Sequence, residues 1–217
     1  MHKKIASLVA LAGALVLATG SARADQLTVT SYDMPNGNGE SVGGTYNYWD
    51  GHYNGSGQRH TDGSFLSGGT GALTDGIVAT QSWDQVSNRW GTGEYVGWFE
   101  TSPTIDFHFG STVAVDSITL NVDNSHIGGV TAPSAVIING VTYANPSWEQ
   151  ATGAQAFTLT GLHLVGESVS VTLVNPAYWV FLSEAKFTSA VPEPASGLLV
   201  LAGLGVLGTT LRRRRIG

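Results

Sequence analysis

Apolar and polar residues alternate with a period of two in three stretches of this chain. These are Pro103-Thr104-Ile105-Asp106-Phe107-His108-Phe109, Ile118-Thr119-Leu120-Asn121-Val122 and Val169-Ser170-Val171-Thr172-Leu173. Successive side chains of a strand point to opposite faces, so each stretch predicts a strand with one face buried. Further strands are expected at Leu27 to Tyr32, Tyr95 to Phe99, Ala135 to Ile138, Val141 to Tyr143, Ala156 to Leu159 and Trp179 to Phe187. Asn139-Gly140, between two apolar runs, predicts a type I′ hairpin, because both central residues of that turn need positive φ. Many short strands with turn residues between them predict an all-β fold, an antiparallel β-sandwich of the jelly-roll kind.

The stretch 36–71 breaks this pattern, with eleven glycines in thirty-six residues. It reads as long loops laid over the sandwich or as a disordered linker. Its aromatics, Tyr46, Tyr48, Trp49, Tyr53 and Phe65, favour loops, since a linker rarely carries so many.

Both chain ends carry export signals. Lys3 and Lys4 precede an apolar run from Ile5 to Ala18, and Ala22-Arg23-Ala24 puts small residues where a signal peptidase reads them. This predicts a signal peptide over 1–24, cut after Ala24. At the other end Pro192-Glu193-Pro194 is followed by an uncharged run from Ala195 to Leu211 and then by Arg212, Arg213, Arg214 and Arg215. Seventeen helical residues reach roughly 25 Å, near the lower limit for a transmembrane helix, and the arginines would hold its far end in the cytoplasm. The order of these parts resembles the PEP-CTERM sorting signal of Gram-negative bacteria. That resemblance implies an exosortase as processing partner, transient anchoring in the inner membrane, and delivery to the cell surface or extracellular matrix.

Between the signals lies a body of 25–190, the length of one domain. It holds only Arg59, Arg89 and Lys186 against fifteen acids, a net charge of −12. Nucleic acid is therefore not an expected partner, because affinity for phosphate backbones comes from lysines and arginines. Divalent cations and neutral or weakly charged polymers fit better. Cysteine is absent, so an apolar core must hold the body together, and thiol catalysis and thiolate metal sites are excluded.

A second resemblance covers about Leu73 to Thr188. Leu73-Thr74-Asp75-Gly76 followed by Trp83, Val96-Gly97-Trp98, the strand Ile105 to Gly110, Gly129-Val130 leading to Ala132-Pro133-Ser134, and Trp179-Val180-Phe181-Leu182-Ser183-Glu184 resemble the landmarks of the galactose-binding-like superfamily. That superfamily includes discoidin domains and many carbohydrate-binding modules. It implies a calcium ion joining an early Asp-Gly loop to an acid on the last strand. On this chain Asp75 and Glu184 would be the carboxylate ligands, with loop oxygens of Leu73, Ile77 and Thr80 contributing; hard oxygen donors suit Ca²⁺. Trp83, Trp98 and Trp179 fall at landmark positions and are expected in the core.

Other metal patterns fail. Asp50-Gly51-His52 begins like an EF-hand loop, but His52 stands at its third position and Thr61 at its twelfth. The histidines show no zinc spacing.

Sugars present apolar C–H faces and hydroxyls together, so their sites pair flat rings with a few fixed polar groups. Trp49, His52, Tyr53, Trp90, His126, Trp148 and Tyr178 are the candidate platforms on loops or strand ends, with Arg59 and Arg89 as donors. No nucleophile elbow, zinc-protease motif or phosphate loop is present. The expected function is a non-catalytic, calcium-stabilised module that binds exopolysaccharide. A structural or adhesive matrix protein is the alternative, and a glycan hydrolase using two of the acids is a second.

Overall fold

The computed structural model describes residues 24–41, 46–86, 91–146 and 153–190. The expected transmembrane helix, the sorting motif and most of the signal peptide lie outside these. Among the described residues no helix is long and apolar enough to cross a membrane, and the ordered elements are strands and two short 3₁₀ turns.

Among the described residues thirteen strands follow in chain order: β1 (Gln26–Leu27), β2 (Ser31–Pro35), β3 (Glu40–Ser41), β4 (Tyr46–Asn47), β5 (Phe65–Gly69), β6 (Val96–Phe99), β7 (Thr104–Val115), β8 (Ser117–Asn124), β9 (Ala135–Ile138), β10 (Val141–Ala144), β11 (Gly153–Leu159), β12 (Leu164–Val174) and β13 (Trp179–Thr188). One sheet runs β1-β13-β8-β11, with β6 also on β13. The second runs β10-β9-β12-β7-β2-β5. All these ladders are antiparallel, as the alternation predicts. The β9–β10 hairpin turns at Asn139 (φ 47°) and Gly140 (φ 84°), the positive pair expected of that turn.

The inward residues of the two sheets form one core. Ile105, Phe107 and Phe109 of β7 meet Val169, Val171 and Leu173 of β12, Ile118, Leu120 and Val122 of β8, and Val180, Leu182 and Phe187 of β13. Trp98 is buried there, and its indole N–H donates to the Pro35 carbonyl at 2.9 Å. A smaller cluster of Tyr48, Ala79, Tyr95, Val130 and Phe181 covers the outer face of β13. Trp83 and Trp179 pack at its margin, only partly buried.

Two expectations are corrected. The single strand expected at Leu27 to Tyr32 is two short strands in different sheets. Leu27 and Val29 pack on the core at odd positions, whereas Tyr32 and Met34 are buried at even ones, so the alternation changes phase between them and the chain crosses sheets there. The glycine-rich stretch is neither a linker nor only loops. It contributes β5 as an edge strand of the larger sheet, the small β3–β4 ladder, and the buried rings of Tyr48 and Tyr53. Its glycines permit close backbone approach: a Cβ on Gly37 would collide with the Tyr48 carbonyl, and one on Gly71 would lie 2.5 Å from both carboxylate oxygens of Asp50.

Candidate functional site

The last strand carries a bulge that builds the first site. Leu182 pairs with Val122 and Glu184 with Asn121, so two residues of β13 advance against one of β8 and Ser183 is the extra residue. Side-chain phase inverts there. Val180 and Leu182 face the core before the bulge, Ala185 and Phe187 after it.

Glu184 is only 2% exposed, beside the Thr74-Asp75-Gly76 turn. The Gly76 N–H donates to its Oε2 at 3.2 Å. Burial pushes the Glu184 carboxyl up to about 7, and the nearby Asp75 charge adds to the rise. The Asp75 carboxylate also accepts the Ile77 N–H at 2.8 Å. Thr74 and Glu184 line the same small hollow of about 100 Å³, and the Thr74 hydroxyl oxygen is buried without a hydrogen-bond partner.

The donor chemistry fits a hard cation. Two carboxylates repel across the site, a buried hydroxyl lacks a partner, and a bound cation would reverse the rise at Glu184. Thr74 is the residue sequence reasoning missed, although it stands between two of the expected contributors. The Leu73 carbonyl already accepts the Ala185 N–H at 2.8 Å, while Ile77 and Thr80 are exposed. No group of three or more His, Cys, Asp or Glu side chains gathers among the described residues, so further ligands would have to be hydroxyl or carbonyl oxygens.

A second site is a cleft of about 640 Å³ where the β2–β5 edge meets the loops before β5 and β7. Pairing explains its floor. Pro35 lies opposite Phe65, and Asp33 opposite Asp106, so the outward residues Phe65, Pro35 and Thr104 form a row across β5, β2 and β7. Phe65 is 63% exposed on this outer face. Asp106 stands one step further along β7, and Asn38, Asp62 and Ser102 complete the polar wall. The Asp62 carboxylate is fixed by the Trp49 indole N–H at 2.5 Å and the Gly39 N–H at 3.2 Å.

The expected platforms divide. Trp49 braces the cleft wall through Asp62 and packs on His60, ring centroids 5.8 Å apart. Arg59 and His60 line a separate polar hollow of about 360 Å³. His52 is exposed, its ring Nε2 3.2 Å from the Thr92 carbonyl. Tyr178 is exposed and stacked on Phe99, and the His126 turn reaches the same corner, where Gly129 closes on the Tyr178 ring. Tyr53 is corrected: it is 2% exposed, donates its hydroxyl to the Tyr32 carbonyl at 2.5 Å and accepts the Gly69 N–H at 2.9 Å. Its hydroxyl satisfies buried backbone, and although it borders the hollow lined by Arg59 and His60, its ring offers almost no free face. Arg89, Trp90 and Trp148 lie outside the described residues. Phe65, read from sequence only as a loop aromatic, is the ring that faces the cleft.

A two-sheet antiparallel body with these features is a discoidin-type sandwich. Residues 28–189 match the discoidin domain-containing receptor 1/2, DS-like domain, and the chain belongs to that family. Residues 190–215 match the PEP-CTERM protein-sorting motif. Both resemblances drawn from the sequence are thus borne out. No curated protein matches. Among solved structures, a fucolectin from striped bass (Morone saxatilis) serum is similar at 13% identity, TM-score 0.33, over 77% of this chain and 80% of that one. A family 32 carbohydrate-binding module from C. perfringens NanJ, solved with galactose, shows 15% identity and TM-score 0.32, over 44% of this chain and 76% of its own. SpGH29 shows 15% identity and TM-score 0.34 over 56% of this chain, which spans only 24% of that protein.

Proposed function

We propose that this chain is an exported, non-catalytic carbohydrate-binding module, sorted to the cell surface or matrix and stabilised by calcium. The observation that carries the reading is the cleft. It pairs the exposed face of Phe65 with the side chains of Asn38, Asp62, Ser102, Thr104 and Asp106, the combination of flat apolar surface and fixed polar groups that a sugar ring requires. The sorting motif at 190–215 supports export and processing by an exosortase after signal peptidase has acted.

Calcium, when bound, supplies positive charge and oxygen coordination. Asp75, Glu184 and the Thr74 hydroxyl would hold it, with loop carbonyls from among Leu73, Ile77 and Thr80. These residues tie the turn after the glycine-rich stretch to the final strand, so the ion would lock the two together.

Affinity electrophoresis of the full-length protein through gels cast with different polysaccharides tests the binding reading. At least one polysaccharide should retard it, and Phe65→Ala should abolish the retardation without lowering the unfolding midpoint. Equal migration in every gel would refute a glycan-binding role and favour a structural matrix protein.

A further inference from the structure

We propose that the cleft selects a cationic polymer of 2-amino-2-deoxy sugars over neutral or uronate glycans, an inference that rests on the glycan-binding reading above. The charge of the walls carries it. Asp62 and Asp106 both line the cleft, one on the loop before β5 and one on β7, and among the described residues no lysine, arginine or histidine lines it. The Asp106 carboxylate has neither a hydrogen-bond partner nor a counter-cation among the described residues. Asp62 is held in place by two N–H donors, so its position is set before any ligand arrives.

A uronate or sulfated glycan would bring negative charge against these two carboxylates in a partly desolvated groove, with no cation to offset it. A neutral sugar would use them only as hydrogen-bond acceptors. A protonated 2-amino group can make a charge-assisted hydrogen bond with a carboxylate. The 2-ammonium is equatorial, at the rim of the sugar ring, so Phe65 can stack on the C–H face while the ammonium reaches a wall carboxylate. Across the sheet the outward row of Phe65, Pro35 and Thr104 continues to Thr172 on β12, whose hydroxyl is 2.7 Å from that of Thr104. The floor is therefore open-ended along the sheet, which suits a chain better than a single sugar. The body's charge of −12 adds long-range attraction for a polycation.

The test is calorimetric titration of the full-length protein, at a pH where the sugar amine is protonated, with four hexamers: β-1,4-linked glucosamine, its N-acetylated form, a uronic acid hexamer and hexalysine. The glucosamine hexamer should bind at least tenfold more tightly than the acetylated one, the uronate should show no heat, and raising salt should weaken the preferred ligand. Asp106→Asn should erase the tenfold preference by weakening the glucosamine hexamer more than the acetylated one, and Phe65→Ala should weaken both sugars. If the acetylated or uronate hexamer binds as well as the amine, the charge inference is overturned and the glycan reading stands. Hexalysine binding as tightly as the amino sugar, and insensitive to Phe65→Ala, would overturn it in favour of a basic-peptide site. Failure of all three sugars would overturn the charge inference, and the glycan reading falls with it only if no polysaccharide gel retards the protein either.

Discussion

Tyr32 and Asp50 meet inside the core, where the phenol donates to Asp50 Oδ2 and the Ala72 N–H donates to Oδ1 at 3.1 Å. This pair anchors the glycine-rich stretch to β2. Removing the donor by Tyr32→Phe leaves a buried carboxylate oxygen short of a partner, a loss of about 1–3 kcal/mol, to be read as a lower urea midpoint with unchanged slope. Glu184 makes a prediction of opposite sign. Its carboxyl is raised from 4.5 to about 7 in the folded chain, so the folded state favours the proton. Without calcium, stability should be fullest below about pH 4.5 as far as this group is concerned, and should fall as pH rises from there to 7. Above that, the penalty for the buried charge is roughly 3 kcal/mol at 1.36 kcal/mol per pKa unit. Glu184→Gln should therefore raise the melting temperature at pH 8 in chelator and lose the upward shift that calcium gives the parent. A parent whose midpoint ignores both pH and calcium would show that the carboxyl is not perturbed. Asp75 and Glu184 were legible as a pair because a family landmark surrounds each. Thr74 was not, because an unpartnered hydroxyl is a property of packing. Tyr53 misled for the same reason: the glycines around it suggest an exposed loop, and only the fold shows that they let the chain come close enough to bury the ring.

Strand legibility followed how many faces an element buries. β7 and β12 bury one face, so alternation predicted their centres; β8 alternates only up to Leu120, and Asn121 to Asn124 are buried on both faces under polar side chains that keep the alternation in its sequence. All three are longer than the alternating stretches, because the β7–β12 and β8–β11 ladders continue beyond them. β13 is covered on both faces between Val180 and Ala185, and its sequence accordingly runs Trp-Val-Phe-Leu with no alternation to set its register. The bulge at Ser183 had no sequence signal at all. β5, Phe-Leu-Ser-Gly-Gly, shows an exposed aromatic and two glycines, the reverse of strand propensity, and exists because β2 offers it an edge. Close packing around β6 gives a direct check. A Cβ on Gly97 would lie 2.2 Å from Cε1 of Phe181, in the cluster beneath Tyr48. Gly97→Ala should cost about 1–3 kcal/mol by overpacking, measured by chemical denaturation. Gly140→Ala has open space around its Cβ but keeps the positive φ, so its smaller loss isolates turn strain from crowding. Equal losses in the two would argue that Phe181 moves aside freely.

The body's two ends meet at one pole. The Asp25 N–H donates to Ser189 Oγ at 3.1 Å, the Ser189 N–H donates back to the Asp25 carbonyl at 2.9 Å, and β1 pairs with the end of β13 at Thr188. The cleft sits near the other end of β13. Trp98, whose side chain lines it, pairs with Val180, and Thr104 pairs with Thr172 at the far end of β12. With strands rising about 3.3 Å per residue, the nine steps from Trp179 to Thr188 separate the two poles by roughly 30 Å. The described body thus begins and ends at the pole away from the cleft. Attachment geometry tests this directly. Protein coupled to a sensor surface through a cysteine placed at Ala190 should keep full capacity for its polysaccharide, whereas coupling through Thr101→Cys, on the exposed cleft wall, should lose most of it while the unfolding midpoint stays unchanged. Equal capacity in both orientations would mean that the ligand is held elsewhere, and would direct attention to the Tyr178–Phe99 corner.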